Sequence, residues 1–151
     1  MSAENVEIIR EGYARFIATG EPLGDLMSPD FVWDMSTFRG WPERKTYEGI
    51  EGTREFLEDW VSAWEDWRLE LKDLIDAGDQ VVAIVHQSGR SKATGLPVDM
   101  TFAQVWTLED GKQTRMRMYA DPDEALRGPR RLERLAVRAR TEREARLPTL
   151  S

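Results

Sequence analysis

At 151 residues, with 40% apolar and 32% charged side chains, the chain has the size and balance of one globular domain with a real core. No apolar run nears the roughly 18 residues that span a bilayer. Without cysteine there is no disulfide or thiolate zinc site, and the single histidine, His86, leaves a catalytic zinc site short of ligands. The net charge of −7 divides into −12 over residues 1–126 and +5 over residues 127–151, where eight arginines face three glutamates. An acidic body repels phosphate backbones, so nucleic acid is not an expected partner. No acidic cluster has the spacing of a magnesium or calcium loop, and neither metal nor cofactor is expected. The opening MSAENVEIIR lacks the basic and then apolar stretch of a signal peptide, which predicts a cytoplasmic location with no membrane attachment.

Helical spacing of Val6, Ile9, Tyr13, Phe16 and Ile17 predicts a helix over residues 3–19, capped by Ser2 and stopped at Gly20. A turn of helix around Leu23–Met27 leads through Ser28-Pro29-Asp30 to a first strand, Phe31–Met35. Gly40, Pro42 and mixed charges make residues 36–49 a loop. A second helix is predicted over Ile50–Trp64, with Ile50, Leu57, Trp60, Val61 and Trp64 inward and a solvated run of Glu51, Arg54, Glu55, Glu58 and Asp59 outward.

Strand signals follow at Arg68–Asp76, Gln80–Arg90, Val98–Leu108 and Gln113–Ala120. Asp110-Gly111 is the strongest hairpin turn in the chain. Helices first and a run of long strands afterwards define an α+β fold: a curved antiparallel sheet wrapped on N-terminal helices, cone-shaped around an apolar pocket. A helical turn at Glu124–Leu126 ends the body. The domain is therefore predicted to run over residues 1–128, with 129–151 as an Arg-rich extension, helical or disordered and dispensable for folding.

Alternation gives the strand faces. Val98, Met100, Phe102, Gln104, Trp106 and Leu108 should look inward, as should Met116 and Met118. Val82, Ile84, His86, Val105, Tyr119, Arg115 and Arg117 belong to the outer face. His86 reads there as a surface or interface residue, because no acid at recognisable spacing orients a Ser88–His86 pair.

The segments ENVEIIREGYARFIATGE, SPDFVWDMS, YEGIEGTREFLEDW, LIDAGDQVVAIV, TGLPVD, VWTLEDGK and MYADPDEAL, in that order, resemble the SnoaL-like proteins of the nuclear transport factor 2-like superfamily over about residues 4–128. The resemblance implies a cone with a closed-ended cavity and a homodimer through the outer sheet face. It spans polyketide cyclases, ketosteroid isomerases, epoxide hydrolases and inert binding modules, so each chemistry must be tried against the residues.

The cyclases carry an aspartate on the last strand, where this chain has Met118. The epoxide hydrolases' three charged positions correspond to Val85, Gln87 and Met118. Against the isomerases, Tyr13 and Gln104 correspond to the oxyanion donors. The base position falls on Met35, or on Asp34 after a slip of one residue that reverses the side chain's face.

These residues favour a protein that binds a small hydrophobic or aromatic molecule in a pocket lined by Tyr13, Trp33, Met35, Trp60, Met100, Gln104, Trp106, Met116 and Met118. The alternatives are an isomerase- or cyclase-type proton-transfer enzyme, with Asp34 as base and Tyr13 and Gln104 as donors, and an inert interaction module. The direction of Asp34 discriminates among them.

Overall fold

A computed structural model describes residues 2–22, 24–38 and 46–126. Helix α1 (Ser2–Thr19) buries Ile9 and Tyr13 on the predicted stripe, while Ile17 lies 44% exposed at its edge. The side chain of Ser2 and all of residues 127–151, including the Arg-rich extension, lie outside the described residues. A short 3-10 turn, Gly24–Leu26, leads into β1 (Met27–Asp34). The strand begins before the predicted Phe31. Pro29, which reads as a turn signal, sits where the pairing register with the last strand is broken, a place a sheet tolerates proline.

Strand β2 (Thr46–Glu48) falls in the predicted loop and pairs antiparallel with β1. Helix α2 (Gly49–Ser62) buries Gly52, Thr53, Phe56 and Trp60. The predicted stripe was displaced on this helix. Ile50, Leu57 and Val61 are half-buried, and Trp64 opens the next strand. At Gly52 a Cβ would come within 2.9 Å of the Tyr47 backbone, so a residue without a side chain lets α2 lie directly on β2.

Four long strands follow: β3 (Trp64–Ala77), β4 (Gln80–Ser91), β5 (Pro97–Glu109) and β6 (Lys112–Tyr119). They run antiparallel, and the β5–β6 hairpin turns through Asp110 (φ 52°) and Gly111 (φ 77°), the two positive dihedrals of a type I′ turn. The sheet order is β2-β1-β6-β5-β4-β3, and β1 joins β6 in parallel, so one pairing departs from the antiparallel expectation.

Strand β3 carries two extra residues against β4, one between Glu65 and Arg68 and one between Leu71 and Asp73. Asp66, inside the first bulge, takes φ 55°. Bulges raise the local twist and bend the strand, which curls this end of the sheet over the helices.

The main core lies on the concave side, where Phe31, Val81, Val85, Phe102 and Met116 pack against the helices. A smaller cluster lies on the outer face. There the short helix α3 (Pro122–Leu126) lays Ala125 and Leu126 on Ile75, Val82, Ala103 and Val105. Val82 and Val105 are thus 0% and 6% exposed within one chain and are not free for a dimer contact, contrary to the sequence expectation. Among the described residues, no helix is long and apolar enough to cross a membrane.

Candidate functional site

Between the two helices and the concave sheet lies a cavity of about 80 Å3, partly open to solvent. Helix α1 contributes Ile9, Gly12, Tyr13 and Phe16, and α2 contributes Thr53, Phe56, Leu57 and Trp60. The sheet supplies Met27 and Trp33 from β1, Trp67 and Leu69 from β3, Phe102, Gln104 and Trp106 from β5, and Gln113 and Met118 from β6. None of these side chains carries a charge at neutral pH.

Of the predicted lining, Tyr13, Trp33, Trp60, Gln104, Trp106 and Met118 meet at this cavity. Met35 and Met116 are 1% and 0% exposed in the surrounding core and do not line it. Met100 is half-buried farther along β5, with its sulfur 3.9 Å from Gln87 Nε2.

Sequence reading missed Phe56, Trp67 and Gln113. Phe56 sits off the stripe chosen for α2. Trp67 lies with Asp66 inside the first β3 bulge, and a register shift between Thr107 and Leu108 lets Gln113 face inward, which strict alternation does not anticipate.

Two glutamines organise the polar groups. The Tyr13 hydroxyl donates to Gln104 Oε1 and accepts from Trp106 Nε1 at 3.0 Å. Gln104 Nε2 has Met118 Sδ at 3.7 Å, a weak acceptor. Behind the cavity, Gln87 Oε1 accepts from Trp60 Nε1 at 2.8 Å and from Trp67 Nε1 at 3.0 Å. Burial pushes the Tyr13 phenol far above its ordinary range, although the Trp106 hydrogen bond pulls the other way. It is therefore a neutral donor and acceptor at any physiological pH.

Asp34 is not in the cavity. Trp33 is the residue of β1 that looks inward, opposite Met116, while Asp34 pairs with Arg117 on the other face of the sheet. There its Oδ2 accepts from Arg115 Nη2 at 2.5 Å and lies 3.5 Å from Arg117 Nε, and its Oδ1 accepts from the Ser36 backbone N–H at 2.8 Å. Burial pushes this carboxyl up, but the Ser36 and Arg115 hydrogen bonds outweigh it and hold Asp34 below the usual carboxylate range. It is a structural anion that ties β1 to β6. On the same outer face, His86 Nε2 stands 2.5 Å from Asp99 Oδ1, an acid that strand pairing supplies and linear spacing concealed. Among the described residues, no group of three or more acidic or histidine side chains is placed to hold a metal.

A curved, unclosed six-stranded sheet with helices over its concave face is the α+β cone of the nuclear transport factor 2-like proteins. Residues 10–116 match the SnoaL-like domain, and the chain belongs to that family. No curated protein matches it.

Among solved structures, TerC co-crystallised with polyporic acid is similar at 27% identity and TM-score 0.64, over 81% of this chain and 95% of that one. A candidate SnoaL-like polyketide cyclase from Jannaschia sp. CCS1 shares 20% identity at TM-score 0.63, covering 83% of this chain and 90% of its own. A protein of ketosteroid isomerase-like fold from Catenulispora acidiphila, in complex with trimethylamine, shares 19% at TM-score 0.61, over 75% of this chain and 84% of that one.

Proposed function

We propose that this protein binds a small neutral, largely apolar molecule in the cavity between α1, α2 and the sheet. One observation carries the reading: a partly open cavity walled by aromatic and methionine side chains, with no ionisable group but the neutral Tyr13 among the described residues that line it. Such a wall rejects an anion, whose unpaired burial costs several kcal/mol, and accepts a flat apolar molecule. About 80 Å3 is roughly half the ~150 Å3 cavity that takes benzene, so the enclosed part takes the leading edge of a small ring or the tip of a longer molecule entering by the mouth. The complexes of related proteins with polyporic acid and trimethylamine support a ligand-holding cavity in this fold.

The alternative of proton transfer requires a base in the cavity. Asp34 is bound to arginines on the far face, and Met118 and Met35 cannot move protons. The inert-module alternative requires a cavity filled by its own side chains, and this one is open.

The test is a panel of neutral one-ring compounds, read by tryptophan fluorescence, since Trp33, Trp60, Trp67 and Trp106 line the wall. Binding of at least one compound is expected, and silence across the panel overturns the reading. In Gln104→Leu, carbonyl-bearing ligands should weaken by about 1–2 kcal/mol for the lost hydrogen bond, with hydrocarbons nearly unchanged.

We propose also that the chain forms a homodimer on the outer sheet face. The contact would use Ile84, His86, Thr101 and Tyr119, since Val82 and Val105 are already covered. Sedimentation at tens of micromolar should give a dimer, and a monomer there removes the proposal. The boundary near residue 128, with a dispensable Arg-rich extension, stays part of the same proposal.

A further inference from the structure

Among the described residues four tryptophans line the cavity, and three of their indole N–H groups are spent on the protein itself. Trp60 and Trp67 donate to Gln87, and Trp106 donates to Tyr13. The fourth, Trp33, differs. It is 5% exposed, and its buried Nε1 has no hydrogen-bond partner among the described residues. Its ring neighbours, Phe56 at 4.9 Å and Trp106 at 6.0 Å, carry no acceptor oxygen or nitrogen for it. Buried indole N–H groups ordinarily find a partner, and an orphan costs free energy that any acceptor brought to it recovers.

We propose that the Trp33 N–H is a recognition donor, and that the ligand is a neutral molecule whose ring or chain carries an acceptor oxygen, a ketone or an ether. The inference rests on the binding reading above and narrows its ligand class. A pure hydrocarbon would fill the same space and leave Trp33 unpaired. A carboxylate would accept from Trp33 but bring a charge that no cation among the described lining residues offsets. A neutral molecule with an acceptor oxygen matches both the orphan donor and the uncharged wall.

The experiment uses two probes of one shape, cyclopentanone and methylenecyclopentane, which differ in the acceptor oxygen. Dissociation constants on the full chain are compared for wild type and Trp33→Phe, which keeps an aromatic ring and removes the N–H. Trp33→Phe should lower the ketone-to-hydrocarbon affinity ratio roughly three- to ten-fold relative to wild type. Taking the ratio cancels any packing change, because both probes feel it equally. Indole N–H resonances add a signature that packing alone would not produce. The Trp33 signal, identified by its loss in Trp33→Phe, should move downfield with the ketone and stay in place with the hydrocarbon. An unchanged ratio, or a Trp33 signal that responds alike to both probes, overturns the proposal and leaves the binding reading standing. If neither probe nor any panel compound binds wild type, both fall.

Discussion

Met118→Asp should fold with a stability deficit of about 3 kcal/mol at neutral pH that shrinks as the solution is acidified. Met118 is 1% exposed on the cavity wall and has Gln104 Nε2 as its polar neighbour. A carboxylate there would find one amide donor and no cation, so burial should raise its folded pKa above the unfolded value of about 3.9. A raised folded pKa means that stability is retained below the unfolded value and lost as pH rises through the folded one. The deficit should therefore open above about pH 4 and grow by about 1.4 kcal/mol per unit until the folded pKa is passed. Denaturant melts between pH 4 and 8 measure it. A deficit independent of pH would mean that the lost methionine packing, and not the charge, sets the cost. Apolar ligands should also weaken at pH 8 and partly recover at pH 4.

Removing a charge from the opposite face should give the reverse pH dependence. Asp34→Ala deletes the acceptor of the Ser36 N–H and of two arginine contacts. The carboxylate is 2% exposed, but the side chains of Arg115 and Arg117 are 41% and 44% exposed and can return to water. The cost should thus stay near 2 kcal/mol, short of the 3–5 kcal/mol of a fully buried broken pair.

Because the folded pKa of Asp34 is lowered, its contribution is complete above the unfolded value of about 3.9 and fades as pH falls through the lower folded one. Wild type and Asp34→Ala should differ at pH 7 and converge in strong acid. Asp34→Ala should leave ligand binding within about two-fold, since the residue does not reach the cavity. Loss of binding in a variant whose melt remains cooperative would restore Asp34 to the functional site.

What the sequence made legible follows from where local physics decides structure. On β5, Phe102, Gln104 and Trp106 are all buried inward because no register shift interrupts the pairing across them, so the two-residue period carries through. The Asp110-Gly111 turn and the inward Met116 and Met118 were readable for the same reason.

The rest depended on contacts distant in sequence. Three-residue β2 is a strand only because β1 accepts it. On α2, Gly52 and Thr53 belong to the buried face although neither is strongly apolar, since Tyr47 needs the space at one. The other returns its hydroxyl to the Gly49 carbonyl at 2.9 Å. The direction of Asp34 was an ambiguity of one residue. Parallel pairing with β6 resolved it by opposing Asp34 to Arg117, and no local pattern announces that pairing.

The two extra residues in β3 have a consequence for variation among relatives. An unbulged ladder through Leu71 would have carried Asp73 into the core, whereas the bulge before Asp73 sends it outward and returns Leu74 to the concave side. Removing one residue from each bulge would leave every later side chain on the face it now occupies, while straightening the strand. The depth of the cup can therefore drift through changes of a single residue in strand length, with the wall chemistry untouched.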